Sequence, residues 1–166
     1  MNAWKIGISI GLLAIIAFFV WRQHRPNRNW VVSQHTYEGF PLFLRRTTNL
    51  DTPANREHYP ILAVVTHEFT HRHPDGRPEH AYNESLLDFD CEITSAFDSP
   101  QRGIPVLVET FGGKRIYYFY VEPDTDLSAA IQPIAARHQN EKLTWELSKS
   151  GWSFLDRYAK DFFPSA

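Results

Sequence analysis

The stretch that most limits the architecture is Ile104 to Val121, IPVLVETFGGKRIYYFYV. Two runs rich in β-branched and aromatic residues flank Gly112-Gly113, and a Gly-Gly pair between such runs is a strong signal for a two-residue hairpin. The second run, Lys114 to Val121, is apolar on both faces, as a central strand covered on both sides is.

The surrounding periodicity extends this hairpin into a sheet. Trp30 to Tyr37 and Phe40 to Arg46 read as two strands joined by a tight Glu38-Gly39 turn, and TTNLDTPANREHY, Thr47 to Tyr59, reads as loop because Asn, Asp and Pro break regular structure. Ile61 to about His71 is the next element. From Glu79 to Asp98, Tyr82, Leu86, Phe89, Ile93, Ala96 and Phe97 recur at three- and four-residue steps, which predicts one helix with a single apolar stripe. Leu127, Ala130, Ile131, Ile134 and Ala135 predict another, kinked or restarted at Pro133. Leu143, Trp145 and Leu147 alternate with polar residues as a half-buried strand does, and Trp152, Leu155, Ala159 and Phe162 mark a C-terminal helix. With Ile61 to His71 as a strand, the expected fold is α+β: a ferredoxin-like β-α-β-β-α-β core, preceded by a β-hairpin and followed by a helix.

A length of 166 residues, 43% of them hydrophobic, suits one such domain rather than two. Net charge is -2, and no Lys- or Arg-rich face is long enough to track a phosphate backbone, so nucleic acid is not an expected partner. The single cysteine, Cys91, excludes an intrachain disulfide and reads as a small buried hydrophobe.

The N-terminus is different in kind. Ile6 to Val20, IGISIGLLAIIAFFV, carries no charge and is bracketed by Trp4 and Trp21. At ~1.5 Å per residue the interval between the tryptophans spans ~27 Å, enough for one pass through a hydrocarbon core. No small-x-small cleavage pattern follows, so an uncleaved anchor is expected, with Ile6 to Trp21 in the membrane. The expected organisation is residues 1–29 as anchor and linker and 30–166 as the folded domain. Lys5 stands on one flank against Arg22, Arg25 and Arg28 on the other, a bias towards a domain on the cytoplasmic side of a bacterial inner membrane.

One motif points to catalysis. His67 to His71 reads HEFTH, a literal H-E-x-x-H, with Glu84 and Asp88 downstream. In a thermolysin-like reading His67, His71 and Glu84 are zinc ligands, Glu68 the general base and Asp88 a supporting carboxylate. That chemistry requires a helix, where residues i and i+4 stand about 5–6 Å apart; on a strand the same pair is ~13 Å apart. Ile61, Val64, Val65, Thr66, Phe69 and Thr70 favour strand, and His73-Pro74-Asp75-Gly76 ends the run at once. The sequence therefore predicts a strand and no catalytic zinc. No Gly-rich phosphate loop or G-x-S-x-G is present, and no cofactor is expected.

Trp30 at the first hairpin, Tyr59-Pro60 before a strand, Asp75-Gly76-Arg77-Pro78 before an acidic helix, Val106 to Thr125, and a close on Trp145, Trp152 and Tyr158 together resemble the bacterial domain of unknown function 695 family. The family's strand, Gly-containing turn, arginine and aromatic strand correspond to Gly113, Arg115 and Tyr117 to Tyr120. The resemblance implies a ferredoxin-like domain related in shape to regulator of ribonuclease E activity B, which acts by binding another protein, and it implies no catalytic residues. The leading expectation is thus a membrane-anchored, non-catalytic protein-binding or regulatory module, with Arg115, Tyr117 and Tyr118 contributing to the binding face. A membrane-anchored zinc metallopeptidase and a toxin-neutralising immunity-type protein are the alternatives.

Overall fold

A computed structural model of the chain describes residues 29–98, 102–148 and 150–162, apart from the side chains of residues 159 and 160. The expected anchor and linker, apart from Asn29, lie outside the described residues; among these, no helix is long and apolar enough to cross a membrane. The described chain forms an α+β domain. Its elements run β1 (Trp30–Tyr37), β2 (Phe40–Thr47), α1 (Pro53–His58), β3 (Ile61–Glu68), α2 (His80–Ser85), α3 (Leu87–Thr94), β4 (Gly103–Phe111), β5 (Lys114–Val121), α4 (Leu127–Arg137), β6 (Lys142–Ser148) and α5 (Ser153–Phe162).

The strands build one six-stranded sheet in the order β1-β2-β4-β5-β3-β6, with every neighbouring pair antiparallel. The crossover from β3 through α2 and α3 to β4 leaves room for β5 between them, so β5 is interior, as its unbroken apolar run requires. Both hairpins close on the predicted two-residue turns. Glu38 and Gly39 take φ of 51° and 83°, Gly112 and Gly113 take 58° and 84°, the double positive φ that matches right-handed strand twist.

Side chains divide by parity between two cores. Ala63, Val65, Tyr117, Phe119 and Val121 meet Phe89, Ile93, Ile131 and Ile134 of α3 and α4 on one face. Leu42, Leu44, Leu62, Tyr118 and Tyr120 meet Trp152 and Leu155 on the other. A bulge between Pro105 and Leu107 turns both Val106 and Leu107 to the second core. There α5 docks through Trp152, whose ring stacks on Tyr120 at 3.8 Å and whose Nε1 donates to the Tyr59 carbonyl at 2.9 Å.

Three expectations change. Residues 47–59 are not all loop: Pro53–His58 is helical, capped by the Thr52 hydroxyl, which accepts from the Asn55 amide at 3.2 Å. The helix predicted over Glu79–Asp98 is two helices. At Leu86 (φ −84°, ψ 1°) the amide bonds back to Asn83 O at 3.3 Å, and the Ser85 hydroxyl donates to Tyr82 O, competing with the helical ladder. Of the kink or restart expected at Pro133, the restart does not occur: helix α4 is continuous from Leu127 to Arg137.

Candidate functional site

The antiparallel register lines up two rows of side chains across the face covered by α3 and α4. One row reads Val32, Arg45, Val108, Tyr117, Val65; the next reads Gln34, Phe43, Thr110, Arg115, His67. Arginines thus stand on β2 and β5 with only Val108 and Thr110 of β4 between them. Asp90 of α3 comes down onto this gap. Arg45 Nη2 donates to both its oxygens at 2.7 and 2.8 Å, Arg115 Nη1 donates at 3.2 Å, and the Tyr117 hydroxyl donates at 3.1 Å. Burial first, and then the Asp90 carboxylate, push the Tyr117 phenol far above its ordinary pKa, so it stays a donor.

Arg115 is fixed on three sides. Its Nη2 donates to Asn83 Oδ1 at 2.7 Å, its Nε to Thr110 Oγ1 at 3.2 Å, and its guanidinium lies 5.5 Å from the Phe69 ring centroid. Its side chain is 12% exposed, that of Asp90 15%, and that of Arg45 35%. Among the described residues Arg45 hydrogen-bonds only through Nη2, and its guanidinium lies 5.6 Å from the Trp30 ring. Two guanidinium groups facing one carboxylate give the site an excess of positive charge.

Above these residues lies an open cleft of about 390 Å³ between the first hairpin and the helices. Val32 and Phe43 form one wall and Pro78, Leu86 and Leu87 the other. Val32 is 67% exposed and Leu87 70%, a pair of apolar residues left facing solvent on opposite rims. Arg77, also on the rim, is paired with Asp75 at 2.7 Å. Among the described residues the cleft holds no histidine or cysteine; its one hydroxyl there, Thr110, accepts from Arg115, and its one carboxylate, Asp90, is held between two arginines. It has the chemistry to bind an anionic group beside an apolar one.

Two of the segments that carry the family resemblance, Asp75 to Pro78 and the Gly112-Gly113 turn, meet beside this cleft. The Asp75-Gly76 turn lies on the Gly112-Gly113 turn so closely that a Cβ on Gly76 would sit 2.7 Å from Gly113 N, and one on Gly113 would sit 2.0 Å from Arg72 Nη1. The Gly113 carbonyl accepts from the Phe69 amide at 2.9 Å. The hairpin end and the 72–78 loop are therefore one packed unit, and Arg115 emerges beneath it.

HEFTH lies on a strand. His67 and Glu68 are the last two residues of β3, and His71 is an exposed residue beyond its end. His67 is fully buried, its Nε2 held by Glu141 Oε2 at 2.7 Å, with the Tyr82 hydroxyl donating to the same oxygen. Burial lowers the His67 pKa, the Glu141 hydrogen bond opposing it; the neutral ring then donates from Nε2 and leaves Nδ1 as an acceptor with no partner. Glu84 is exposed on α2 beside His80, at 3.4 Å. Among the described residues, no group of three or more His, Cys, Asp or Glu is placed to hold a metal ion.

Of the residues predicted for binding, Arg115 lines the cleft, whereas Tyr117 does not reach it, being fully buried beneath with its hydroxyl on Asp90. Tyr118 faces the opposite core, stacked on Phe154 at 4.6 Å, and is not brought to the cleft. Arg45, Asn83 and Asp90 were missed. Asp90 carried a signal: four residues after Leu86 and three before Ile93, it is a carboxylate on the apolar stripe, where an unpaired charge would not be tolerated.

Fold and cleft define an α+β domain built around one cationic, apolar-rimmed groove. The chain belongs to the family of unknown function DUF695, whose model matches residues 28–156, a span covering the whole sheet and the start of α5. No curated protein and no solved structure matches it.

Proposed function

We propose that this chain is a non-catalytic protein-binding module, held at a membrane by Ile6 to Trp21, with the Arg45–Arg115 cleft as its binding face. The observation that carries the reading is the cleft itself: guanidinium groups in excess over carboxylate, between apolar rims left exposed at Val32 and Leu87. Desolvated arginines and apolar anchors side by side are the composition of interface hot spots. The element order and the β4-β5-β3-β6 arrangement support a ferredoxin-like core, and hence a likeness in shape to regulator of ribonuclease E activity B. The uncharged run at Ile6 to Val20 supports the tether, and the excess of arginine after it supports a bacterial inner-membrane location with the domain on the cytoplasmic side.

The test is photocrosslinking in cells from a reactive amino acid at Leu87, with the same group at Lys142 on the opposite edge as control. A discrete adduct from Leu87, absent from Lys142 and lost in Arg45→Glu, is the expected result. Identical adduct patterns from both positions, or none from Leu87, refute the reading.

A further inference from the structure

The cleft opens onto a sheet edge that nothing among the described residues covers. Strand β1 is the outer strand on this side, and β6 is the outer strand on the other. Natural edge strands are protected by charge, proline or bulges. β6, KLTWELS, carries Lys142 and Glu146, whereas β1, WVVSQHTY, contains no Lys, Arg, Asp, Glu or Pro and keeps an unbroken register with β2 over its eight residues. An edge left in this condition is a site for another strand.

The register says which main-chain groups are available. In an antiparallel ladder hydrogen-bonded and non-hydrogen-bonded pairs alternate, and the pair closing a two-residue turn is hydrogen-bonded. Tyr37↔Phe40 is that pair, and Asn29, in phase with it, accepts from the Thr48 amide at 3.0 Å. Pro41, which has no amide to give, falls on a non-hydrogen-bonded pair with Thr36, as it must. The N–H and C=O groups of Trp30, Val32, Gln34 and Thr36 consequently point to the open edge. These residues share the face of the sheet on which Arg45 and the cleft lie.

We propose that β1 receives an extended segment of the partner protein as a seventh strand, and that this segment places a carboxylate side chain at Arg45 with apolar side chains two residues either side of it. The proposal rests on the protein-binding reading and specifies its ligand. Strand addition supplies affinity through the main chain, and alternate side chains, all on one face, supply selectivity. Arg45, bonded to described residues through Nη2 alone and sharing one carboxylate with Arg115, selects an acid in the row of Val32; Trp30, next along that face of β1, and the exposed Leu87 across the cleft select apolar neighbours. A second copy of this chain is a poorer fit, since its own β1 would bring no carboxylate to the cleft.

A phage-displayed library of random dodecapeptides, panned on the immobilised full chain in mild detergent, tests this without knowledge of the partner. Enriched peptides are expected to carry Asp or Glu flanked at two-residue spacing by apolar residues, and a synthetic peptide of that sequence is expected to slow hydrogen exchange in β1. Arg45→Ala should weaken it about tenfold or more. Gln34→Pro, which removes an edge-facing amide and leaves the β1–β2 ladder intact, should abolish binding where Gln34→Ala retains it; unchanged thermal melting shows that both variants are folded. Enrichment without a carboxylate, exchange protection at β6 in place of β1, or self-association through β1 overturns the proposal. Arg45-dependent peptides that still bind Gln34→Pro overturn strand addition and leave the protein-binding reading standing. No enriched peptide together with no Leu87 adduct removes both.

Discussion

Replacing Asp90 by Asn should weaken the fold far more than the exchange of one oxygen for an NH2 group suggests. The substitution keeps shape and removes charge; with the amide oxygen at the Oδ1 position, where Arg45, Arg115 and Tyr117 all donate, its NH2 group faces the second Arg45 bond. Removing one partner of a buried ion pair costs about 3–5 kcal/mol because the other charge stays buried and uncompensated. Arg115, 12% exposed, approaches that condition; Arg45, 35% exposed, is partly relieved by solvent, so the upper half of the range does not apply. The Tyr117 hydroxyl can still donate to the amide oxygen. A loss of ~2–4 kcal/mol follows, which at a urea m-value of about 2 kcal/mol/M moves the midpoint down by ~1–2 M with m unchanged. The assay is urea unfolding followed by tryptophan fluorescence. Because the penalty is a stranded cation, Arg115→Met in the Asp90→Asn background should cost less than the two single losses summed, by ~1–3 kcal/mol. A midpoint within ~0.3 M of the parent, or strict additivity in the double variant, would show that the cluster carries no buried charge coupling and would remove the electrostatic basis of the cleft.

Other consequences are simpler to state. His67 is buried with its pKa lowered from 6.5, so the unfolded chain takes up a proton below about 6.5 that the folded chain declines; stability should fall as pH drops through that value, by at most ~1.4 kcal/mol per unit, until His67 itself titrates, and His67→Gln should flatten the profile between about pH 7 and 5 in unfolding measurements. Gly76→Ala combines a φ of +83° with a 2.7 Å approach to Gly113 N and should cost more than ~2 kcal/mol in thermal or urea unfolding; Gly39→Ala, at the same φ but with nothing within 4 Å, should cost only ~1. Trp152→Phe, which loses the bond to the Tyr59 carbonyl, should cost ~1 kcal/mol, and Trp152→Ala, which empties the stack on Tyr120, ~3–5; equal losses would place the stabilisation in the hydrogen bond alone.

What the sequence could and could not reveal follows from the range of the interactions involved. The hairpin turns, the interior position of β5 and the strand at Ile61–Glu68 are fixed by residues adjacent in the chain, through positive φ, β-branching and period, and all three were legible. The helix at Pro53–His58 was legible too and was misread: Thr52-Pro53 is an N-cap followed by a proline at the first helical position, and the proline was counted as a breaker. The break at Leu86 was not legible, because the apolar stripe runs on through Leu86 and the Ser85 hydroxyl that bonds back to Tyr82 O could equally have faced solvent. Arg45 and Asp90 are 45 residues apart, and no local pattern links them. Arg115 and Tyr117 entered the sequence reading through the aromatic strand, and Tyr118 came with them although strand alternation sends it to the opposite face.

Why the cleft lies where it does can be argued from widths alone. Six strands at about 4.8 Å span ~29 Å, whereas two packed helices at about 10 Å each cover ~20 Å. Helices α3 and α4 cover β4, β5, β3 and β6, Phe89, Ile93, Ile131 and Ile134 sharing one core with Leu143 and Trp145 of β6, which leaves roughly two strands' width of the same face without a helical cover. That remainder is the β1–β2 hairpin. On the other face α5 extends over it, His35 and Tyr37 lying 5.5 and 6.2 Å from Phe162, so the hairpin is held from one side and open on the other. A four-stranded core would be closed by its two helices and have no groove. The additional hairpin creates one, and the residue it contributes at the boundary, Arg45, is where helix cover ends and the free edge begins.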